Sequence, residues 1–447
     1  MPNSTYAFTN ARPAVRAHPP PLPVYPPLES AYPNPLPAVP QPAKTFADPR
    51  FAVSTHVVPA AYLRCMPLPT RPLPPAPNST SSKEDRRVAV AERMKWVSEQ
   101  SGAERGRHER VLFHVVNRYV AVEPRSEGKT LFLAHANGFP KETWEPTILD
   151  LLSKENAVDQ VDEIWAWEAA HHGASSVFNA QIGAELTAYD WSDNARDVLN
   201  FLLHFLPSEI APPNELPTLL PRVPATESAL RRVRGYNDRK LFAAGHSFGG
   251  FCCAYAAIYE SRLFTGLMLI DPVVICSADP PEPPGDKRPS LAEGALARRD
   301  SWPSRQVALE SFKSSPFFGS WDPRVLDAYV EYGLVPSSDG KNVQLAMPPI
   351  QESLAFSATY TSGIVWDLLR TLDPRVPIRW VVPGKPGEPE IGKPGSTQER
   401  VWLRPANSSN IRLGSAGHSA TQQVPGDVAK ELAGLLQGQD HVPTSKL

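Results

Sequence analysis

The fold is decided by the stretch LFAAGHSFGG, residues 241–250, in which an apolar run leads into the pattern G-x-S-x-G. Residues 240–244 have the composition of a buried β-strand, and residues 249–259 have that of a helix. A serine hydroxyl is a good nucleophile only where it is exposed beside a base, and a tight turn from strand to helix provides that exposure. Glycine is needed on both sides of the serine because a side chain there would collide with the neighbouring backbone. The stretch therefore predicts a nucleophile elbow with Ser247 at its tip.

Short apolar strands alternate with helical segments along the rest of the chain. The later strands are apolar throughout, so both of their faces must be covered, as they are in mostly parallel sheets. An elbow within such a sheet predicts an α/β protein with the α/β-hydrolase fold and helices on both faces of the sheet. The predicted strands are residues 111–116, 120–122, 130–133, 163–167, 240–244, 266–270, 378–382 and 411–413, and the predicted helices are residues 83–99, 144–152, 193–205, 249–259 and 428–436.

Composition divides the chain into five segments. Residues 1–85 are dense in proline, which helices and sheet interiors do not tolerate, so they predict a disordered arm that is either dispensable or docks on a partner. Residues 86–276 and 374–440 carry the two parts of the hydrolase core. Residues 277–373 interrupt it and predict a mostly helical cap over the active site, the alternative being a surface elaboration unrelated to catalysis. Residues 441–447 form a tail.

The general base is expected to be a histidine on the loop after the last strand. The stretch IRLGSAGH, residues 411–418, supplies His418 at that place, with a helix following it. His246 is a weaker candidate because it lies within the elbow, where its side chain is expected to point away from the nucleophile. The sequence therefore predicts His418 as the base.

A catalytic triad also needs an acid that fixes the tautomer of the imidazole and stabilises the imidazolium. Asp271 ends the strand at residues 266–270 and gives the chain order Ser, Asp, His that the fold uses. Glu388 and Glu390 follow the strand at residues 378–382 and are the alternatives. Asp271 is the favoured acid.

Two backbone N–H groups are needed to stabilise the oxyanion of the tetrahedral intermediate. The residue after the nucleophile, Phe248, supplies the first. The second is expected from the loop in LFLAHANGFP, residues 131–140, where the amide of Asn137, or alternatively that of Phe139, could donate. His135 in the same loop is interpreted as a bracing residue.

The net charge, the apolar runs and the cysteines indicate which kinds of partner and cofactor the chain is not expected to bind. The chain has 447 residues and a formal net charge of -2 at pH 7, so it presents no broad basic field for nucleic acid. No apolar run is long enough to predict a transmembrane segment. The cysteines have neither metal-site spacing nor the density of a disulfide scaffold, and are expected to be reduced thiols; they are Cys65, Cys252, Cys253 and Cys276. The expected chemistry needs no cofactor and no metal.

The sequence given ends in Ser445-Lys446-Leu447. At a C-terminus, Ser-Lys-Leu is an address read by the peroxisomal import receptor. The expected location is therefore the peroxisome, with the import receptor as a partner.

Together, the loop at residues 134–144, the elbow at Ser247, Asp271 with the proline after it, and Gly417-His418 resemble fungal peroxisomal α/β-hydrolases. That group includes the mycophenolic acid acyl-CoA hydrolase, hydrolases of host-selective toxin pathways, and the yeast peroxisomal lipase. The resemblance covers residues 110–447 and implies that the triad acid follows the strand after the nucleophile helix, which is the position of Asp271.

These features lead to one main hypothesis and two alternatives. The main hypothesis is a peroxisomal serine hydrolase that cleaves an ester or thioester through an acyl-enzyme, most simply an acyl-CoA thioesterase of fungal secondary metabolism. A lipase or carboxylesterase would use the same residues, so the choice of thioesterase rests on compartment and resemblance. A non-catalytic interaction protein with the hydrolase fold is the alternative of another class.

Overall fold

The computed structural model of the chain describes residues 2–14, 16–40, 44–65, 69, 71–76, 82–101, 110–123, 128–154, 161–184, 189–279, 290–358 and 361–438. The tripeptide Ser445-Lys446-Leu447 lies outside these residues. So do two short parts of the predicted cap, residues 280–289 and 359–360.

The centre of the protein is a mostly parallel sheet. Over the described residues the strands are β1 (Phe51–Pro59), β2 (Phe113–Ala121), β3 (Lys129–Ala134), β4 (Glu163–Trp167), β5 (Lys240–His246), β6 (Gly266–Ile270), β7 (Ser301–Trp302), β8 (Leu334–Pro336), β9 (Val343–Leu345), β10 (Ile378–Pro383) and β11 (Ser408–Leu413). Eight of them form the central sheet in the order β1-β2-β4-β3-β5-β6-β10-β11. The pairs from β4 to β11 are parallel, whereas β2 is antiparallel to both β1 and β4.

Helices cover both faces of this sheet. In the described residues they are α1 (Lys83–Ser101), α2 (Glu145–Leu152), α3 (Gly173–Gln181), α4 (Trp191–His204), α5 (Ala225–Arg234), α6 (Phe248–Tyr259), α7 (Leu291–Ala297), α8 (Arg305–Lys313), α9 (Pro323–Tyr332), α10 (Pro349–Ser357), α11 (Ser362–Leu368), α12 (Ser396–Val401), α13 (Ala420–Gln423) and α14 (Pro425–Leu436). Helices α4 and α6 share one apolar cluster with the sheet, and α2 and α14 share the other.

The alternation of side chains along each strand divides the core between these clusters. In β5, Leu241 and Ala243 belong to the cluster with α4 and α6, whereas Phe242 and Ala244 belong to the cluster with α2 and α14. This is the period of two expected for a strand whose faces are both buried. The predicted α/β-hydrolase architecture is thus confirmed.

One predicted break between strands is wrong. Residues 111–116 and 120–122 were expected to form separate strands, yet β2 is continuous through the polar residues Asn117 and Arg118. Both are buried and bonded: Nδ2 of Asn117 donates to Glu142 at 2.7 Å, and Nε of Arg118 donates to Glu163 at 2.6 Å. Paired polar groups can occupy a buried strand, which the pattern of residue types does not reveal.

The expectation that residues 1–85 form a disordered arm needs correction where the structure describes them. Residues 51–59 form β1, which pairs along its whole length with β2 and buries Val57 and Val58. Helix α1 begins within the same segment and packs on α7 and α10. These residues belong to the folded body because they bury apolar side chains against it.

Each edge of the central sheet is partly covered by another segment of the chain. At the β1 edge, the main chain of Val57 bonds with Thr218 and Leu220 of the proline-rich insertion at 207–239. At the β11 edge, Ser4 and Arg412 exchange two main-chain hydrogen bonds of 3.1 and 2.7 Å. Neither cover was expected from the sequence.

The described residues of the predicted cap contain five helices, α7 to α11, and three short strands. Strands β7, β9 and β8 form a small antiparallel sheet beside helices α8 and α9. Aromatic side chains of this region pack together with Phe139, which lies in the loop after β3. The cap therefore contacts the part of the core where the oxyanion-binding loop is expected.

Candidate active site

Ser247 occupies a strained turn between β5 and α6. Its backbone angles are φ 55° and ψ -115°, in a region that non-glycine residues rarely adopt. The turn is held on both sides, since the amide of Ser247 donates to Ile270 at 2.9 Å and its carbonyl accepts from Val273 at 3.2 Å. Strand, strained serine and helix follow each other as the G-x-S-x-G pattern predicts.

The glycines around Ser247 allow three backbone segments to meet. A methyl group on Gly245 would overlap the carbonyl of Gly249, and one on Gly249 would lie 2.5 Å from the carbonyl oxygen of His135. The start of α6 thus lies directly against the loop after β3. This close approach brings the amide of Phe248 near the loop that carries Asn137.

Gly249→Ala is expected to lower activity about 100-fold and to cost about 1–3 kcal/mol of unfolding free energy, because the added methyl must push α6 away from His135. The rate of labelling by a fluorophosphonate probe and a thermal melt would measure the two effects. Gly294→Ala is the matched control, since a methyl there meets nothing within 4 Å. Equal labelling rates in the two variants would contradict the expectation.

Ser247, His418 and Asp271 are hydrogen-bonded in series. Nε2 of His418 lies 3.0 Å from Oγ of Ser247, and its Nδ1 lies 2.7 Å from Oδ2 of Asp271. The side chain of Asp271 is 3% exposed and that of His418 is 38% exposed. The carboxylate of Asp271 is thus buried, whereas the imidazole of His418 is accessible to solvent. This arrangement can move a proton from the serine to the histidine.

The charge on Asp271 is maintained by its neighbours. Burial alone would raise the pKa of this carboxyl, but the hydrogen bond and charge of His418 and the charge of Arg400 outweigh burial, so the pKa lies below its ordinary value. Nη2 of Arg400 donates to the other carboxylate oxygen, Oδ1, at 3.0 Å. Asp271 is therefore an anion whose two oxygens both have donors.

The alternative acids bond to the backbone instead. Oε1 of Glu388 accepts from the amide of His418 at 2.8 Å, beneath the loop that carries the imidazole. The carboxylate of Glu390 accepts from the amides of Gly395 and Thr397, at 3.1 and 2.8 Å, at the start of α12. The structure thus brings Asp271, and neither glutamate, to Nδ1 of His418.

His246 hydrogen-bonds to the loop that carries His418. Its Nε2 donates to the carbonyl of His418 at 2.7 Å, and its Nδ1 accepts from the hydroxyl of Thr421 at 2.8 Å. Burial lowers the pKa of His246 to about 3, so the ring stays neutral at ordinary pH. Both ring nitrogens of His246 are thus engaged by the loop of His418 and by α13.

Asn137 is fixed from two sides in the loop after β3. Its Oδ1 accepts from Nε2 of His172 at 3.0 Å, and its Nδ2 lies 3.5 Å from the carbonyl of Glu352 in α10. The ring of His172 stacks on that of Phe248 at a centroid distance of 5.8 Å. The first residue of a helix has no intrahelical acceptor for its N–H, so the amide of Phe248 is suited to bind an oxyanion.

His135 braces this loop, as interpreted from the sequence. Its Nδ1 bonds to the carbonyl of Ala136 at 2.8 Å, and its Nε2 accepts from the amide of Ala169 at 3.0 Å. Phe139, the alternative oxyanion donor, places its ring against Trp321 of the cap at a centroid distance of 4.9 Å. The loop is therefore held by the sheet on one side and by the cap on the other.

Two side chains that matter to this geometry were missed from the sequence. One is Arg400, which is 129 residues from Asp271 and carries no motif. The other is Gln423, whose Oε1 accepts from the amide of Gly417 at 2.8 Å and whose Nε2 donates to Ser320 of the cap at 3.0 Å. Long-range polar contacts of this kind leave no local signal in one sequence.

Three further observations on the described part of the chain concern metal ligands, membrane-spanning helices and cysteines. There, His, Cys, Asp and Glu side chains form no group of three or more that could bind a metal ion. Among the described helices, none combines the length and apolar character needed to cross a membrane. The four cysteines are buried and unpaired, as expected for reduced thiols.

The sheet order and the nucleophile elbow are those of an α/β-hydrolase, and comparison with known families gives the same class. A model of the alpha/beta hydrolase family matches residues 131–431, and the chain belongs to that family. A peroxisomal alpha-beta-hydrolase, Lpx1 of Saccharomyces cerevisiae, has a similar fold with a TM-score of 0.59 at 17% identity, covering 90% of this chain and 94% of that one.

Particular relatives are found among curated proteins. The type I acyl-CoA thioesterase mpaH of Penicillium roqueforti is 28% identical over 291 residues, which cover 63% of this chain and 50% of that protein. The abhydrolase domain-containing protein ACTT2-1 of Alternaria alternata is 31% identical over 113 residues, 25% of this chain and 40% of that protein. The chain spans about half the length of the thioesterases it matches.

Proposed function

We propose that the protein is a serine hydrolase that cleaves an ester or thioester through an acyl-enzyme, with Ser247, His418 and Asp271 as its triad. The observation that carries the proposal is the continuous pair of hydrogen bonds, 3.0 Å from Ser247 to His418 and 2.7 Å from His418 to Asp271. A strained turn and a buried acid accompany this pair, which is the combination that an activated serine requires.

In the first half of the reaction, Nε2 of His418 takes the proton of Ser247 as Oγ attacks the substrate carbonyl. The amides of Phe248 and Asn137 stabilise the oxyanion that forms. When the carbon–sulfur or carbon–oxygen bond breaks, His418 returns its proton to the leaving group. The acyl group is then bonded to Ser247.

In the second half, His418 takes a proton from water, and the resulting hydroxide attacks the acyl carbon. The bond to Oγ breaks, and Ser247 regains its proton from His418. The products are a carboxylic acid and a thiol or alcohol, so one water is consumed for each bond cleaved. Asp271 keeps its negative charge throughout and stabilises the imidazolium.

The proposed substrate class is an acyl-CoA thioester. The relatives that match 63% of the chain are named as type I acyl-CoA thioesterases, which supports this choice over oxygen esters. The proposed compartment is the peroxisome, because Ser445-Lys446-Leu447 is an address for the import receptor where Leu447 is the C-terminal residue.

The test is hydrolysis of a long-chain acyl-CoA, a p-nitrophenyl ester with the same acyl chain, and a triacylglycerol by the purified protein. We expect kcat/KM for the acyl-CoA to exceed that for the p-nitrophenyl ester by about tenfold or more, since a pocket that binds the CoA moiety would stabilise the transition state. The four buried cysteines keep the background low in an assay that detects free thiol.

Protein treated beforehand with a fluorophosphonate is the matched control and should be inactive on all three substrates. Preference for the oxygen esters would replace the thioesterase assignment by lipase or carboxylesterase. Failure to hydrolyse any of the three, together with no fluorophosphonate adduct, would favour a non-catalytic interaction protein.

A further inference from the structure

A buried arginine lies on the side of Asp271 that faces away from His418. Arg400 is in α12 and is fully buried. Its Nη2 donates to Oδ1 of Asp271 at 3.0 Å, while Oδ2 of the same carboxylate bonds to His418 at 2.7 Å. The two donors occupy opposite oxygens, so the carboxylate cannot rotate without losing one of them.

The other contacts of Arg400 tie the guanidinium to the backbone around the site. Nη1 donates to the carbonyls of Val274 and Ile391 at 3.3 and 3.2 Å, and Nη2 also donates to the hydroxyl of Thr397 at 3.2 Å. Burial lowers the pKa of Arg400, but a guanidinium remains protonated at any pH used for assay. A buried cation is costly unless an anion pairs with it, and here the carboxylate it hydrogen-bonds is that of Asp271.

The helix that carries Arg400 is itself fixed from two directions. The carboxylate of Glu390 accepts from two amides at the start of α12. From the N-terminal segment, Arg12 bonds to Glu399 at 2.7 Å, and the carbonyl of Ala7 accepts from Trp402 at 2.8 Å. Arg400 is therefore held at a set position relative to Asp271.

We propose that Arg400 is a positioning residue that acts through Asp271, holding its carboxylate in the orientation that His418 needs and offsetting part of its negative charge. This proposal rests on the proposed function, because it assigns Arg400 a role in the reaction of the same triad. It follows that removing the cation strengthens the attraction between Asp271 and the imidazolium form of His418. The acidic limb of the kcat/KM profile should then move to higher pH.

The direction in which the acidic limb moves depends on all the charges near Asp271 and His418. Burial keeps His246 neutral by lowering its pKa, and burial raises the pKa of Tyr6, so neither is charged near pH 7. Substitution of Arg400 therefore removes the cation while the neighbouring anions stay. Among the described residues, the titratable groups that face Asp271, His418 and Arg400 from neighbouring elements are His246, Tyr6, Glu388 and Glu390.

The test compares Arg400→Met with Arg404→Met. Arg404 is a suitable control because it is also a buried arginine that donates to carbonyls, those of Asp373 and Val376 at 2.9 and 2.7 Å, without contacting the triad. The readout is kcat and kcat/KM for a p-nitrophenyl ester from pH 5 to 9, at a wavelength where the absorbance of the product does not depend on pH.

We expect Arg400→Met to lower kcat about 10–100-fold with little change in KM. The acidic limb of its kcat/KM profile should move upward by about half a pH unit or more. Arg400→Lys keeps the charge, so its acidic limb should stay at the wild-type pH while kcat falls less. Arg404→Met should keep the wild-type kcat and profile despite a similar loss of thermal stability.

An unchanged kcat and acidic limb in Arg400→Met would overturn the proposal, and so would a loss of rate with no movement of the limb, because that would indicate a role in the backbone alone. If Arg400→Met does not fold, Arg400→Gln takes its place, with the same movement expected. Ser247→Ala is assayed in parallel: wild-type activity in that variant would refute the proposed function, whereas an inactive Ser247→Ala beside an unaffected Arg400→Met would refute only the role of Arg400.

Discussion

Ser247→Ala is expected to lower kcat for acyl-CoA hydrolysis by about 10⁴-fold or more while leaving the fold intact. The reason is that Oγ of Ser247 is the atom aligned with Nε2 of His418, at 3.0 Å, and alanine offers nothing to form the acyl-enzyme. Release of thiol from a long-chain acyl-CoA measures the rate, and the mass of the elbow peptide after fluorophosphonate treatment shows whether Oγ of Ser247 has been phosphonylated.

Ser314→Ala is the matched control, because this serine is exposed at the end of α8 and its hydroxyl bonds only locally, to the carbonyl of Ser311 at 2.8 Å. It should keep the wild-type rate and the adduct at the elbow. Thiol release at the wild-type rate in Ser247→Ala, or an adduct on another serine, would show that the nucleophile is elsewhere.

Asp271→Asn is expected to lower kcat by about 10³–10⁴-fold. An asparagine has no charge to stabilise the imidazolium of His418. Arg400 donates to one side-chain atom at this position, so it would retain the amide oxygen and turn the NH₂ group toward Nδ1 of His418. That orientation favours the wrong tautomer, in which Nε2 carries the proton and cannot accept one from Ser247. The pH profile of kcat with a p-nitrophenyl ester measures the loss.

Glu388→Gln tests whether Glu388, instead of Asp271, is the acid of the triad. Glutamine can still accept the 2.8 Å hydrogen bond from the amide of His418, so this variant should stay within a few-fold of wild type. Full activity in Asp271→Asn together with loss in Glu388→Gln would move the role of acid to Glu388.

Much of the fold could be predicted because most of its strands are short apolar stretches with polar or turn-forming residues at both ends. β4 and β6 begin and end at the predicted residues, and the ends of β3 and β5 lie within two residues of the prediction. β1 was missed for two physical reasons. It lies in a proline-dense segment, and its middle residues are only partly buried, so its composition does not stand out as a strand.

The candidate site also contains residues that the sequence predicts and residues that it does not. Ser247, Asp271 and His418 follow individual strands, so local pattern and chain order suffice to select them, and the structure brings the three side chains together. The contacts of Arg400 and Gln423 depend on how distant loops pack. One sequence carries no record of such pairings, and neither residue type is distinctive at its position.

The covered edges of the central sheet bear on the solubility of the protein. An open edge strand presents unpaired N–H and C=O groups that can pair with another molecule, which is a common route to aggregation. At β11, the two main-chain bonds between Ser4 and Arg412 occupy part of that edge, and residues 218–220 do the same at β1. These main-chain bonds leave fewer edge groups free to pair with a strand of another molecule.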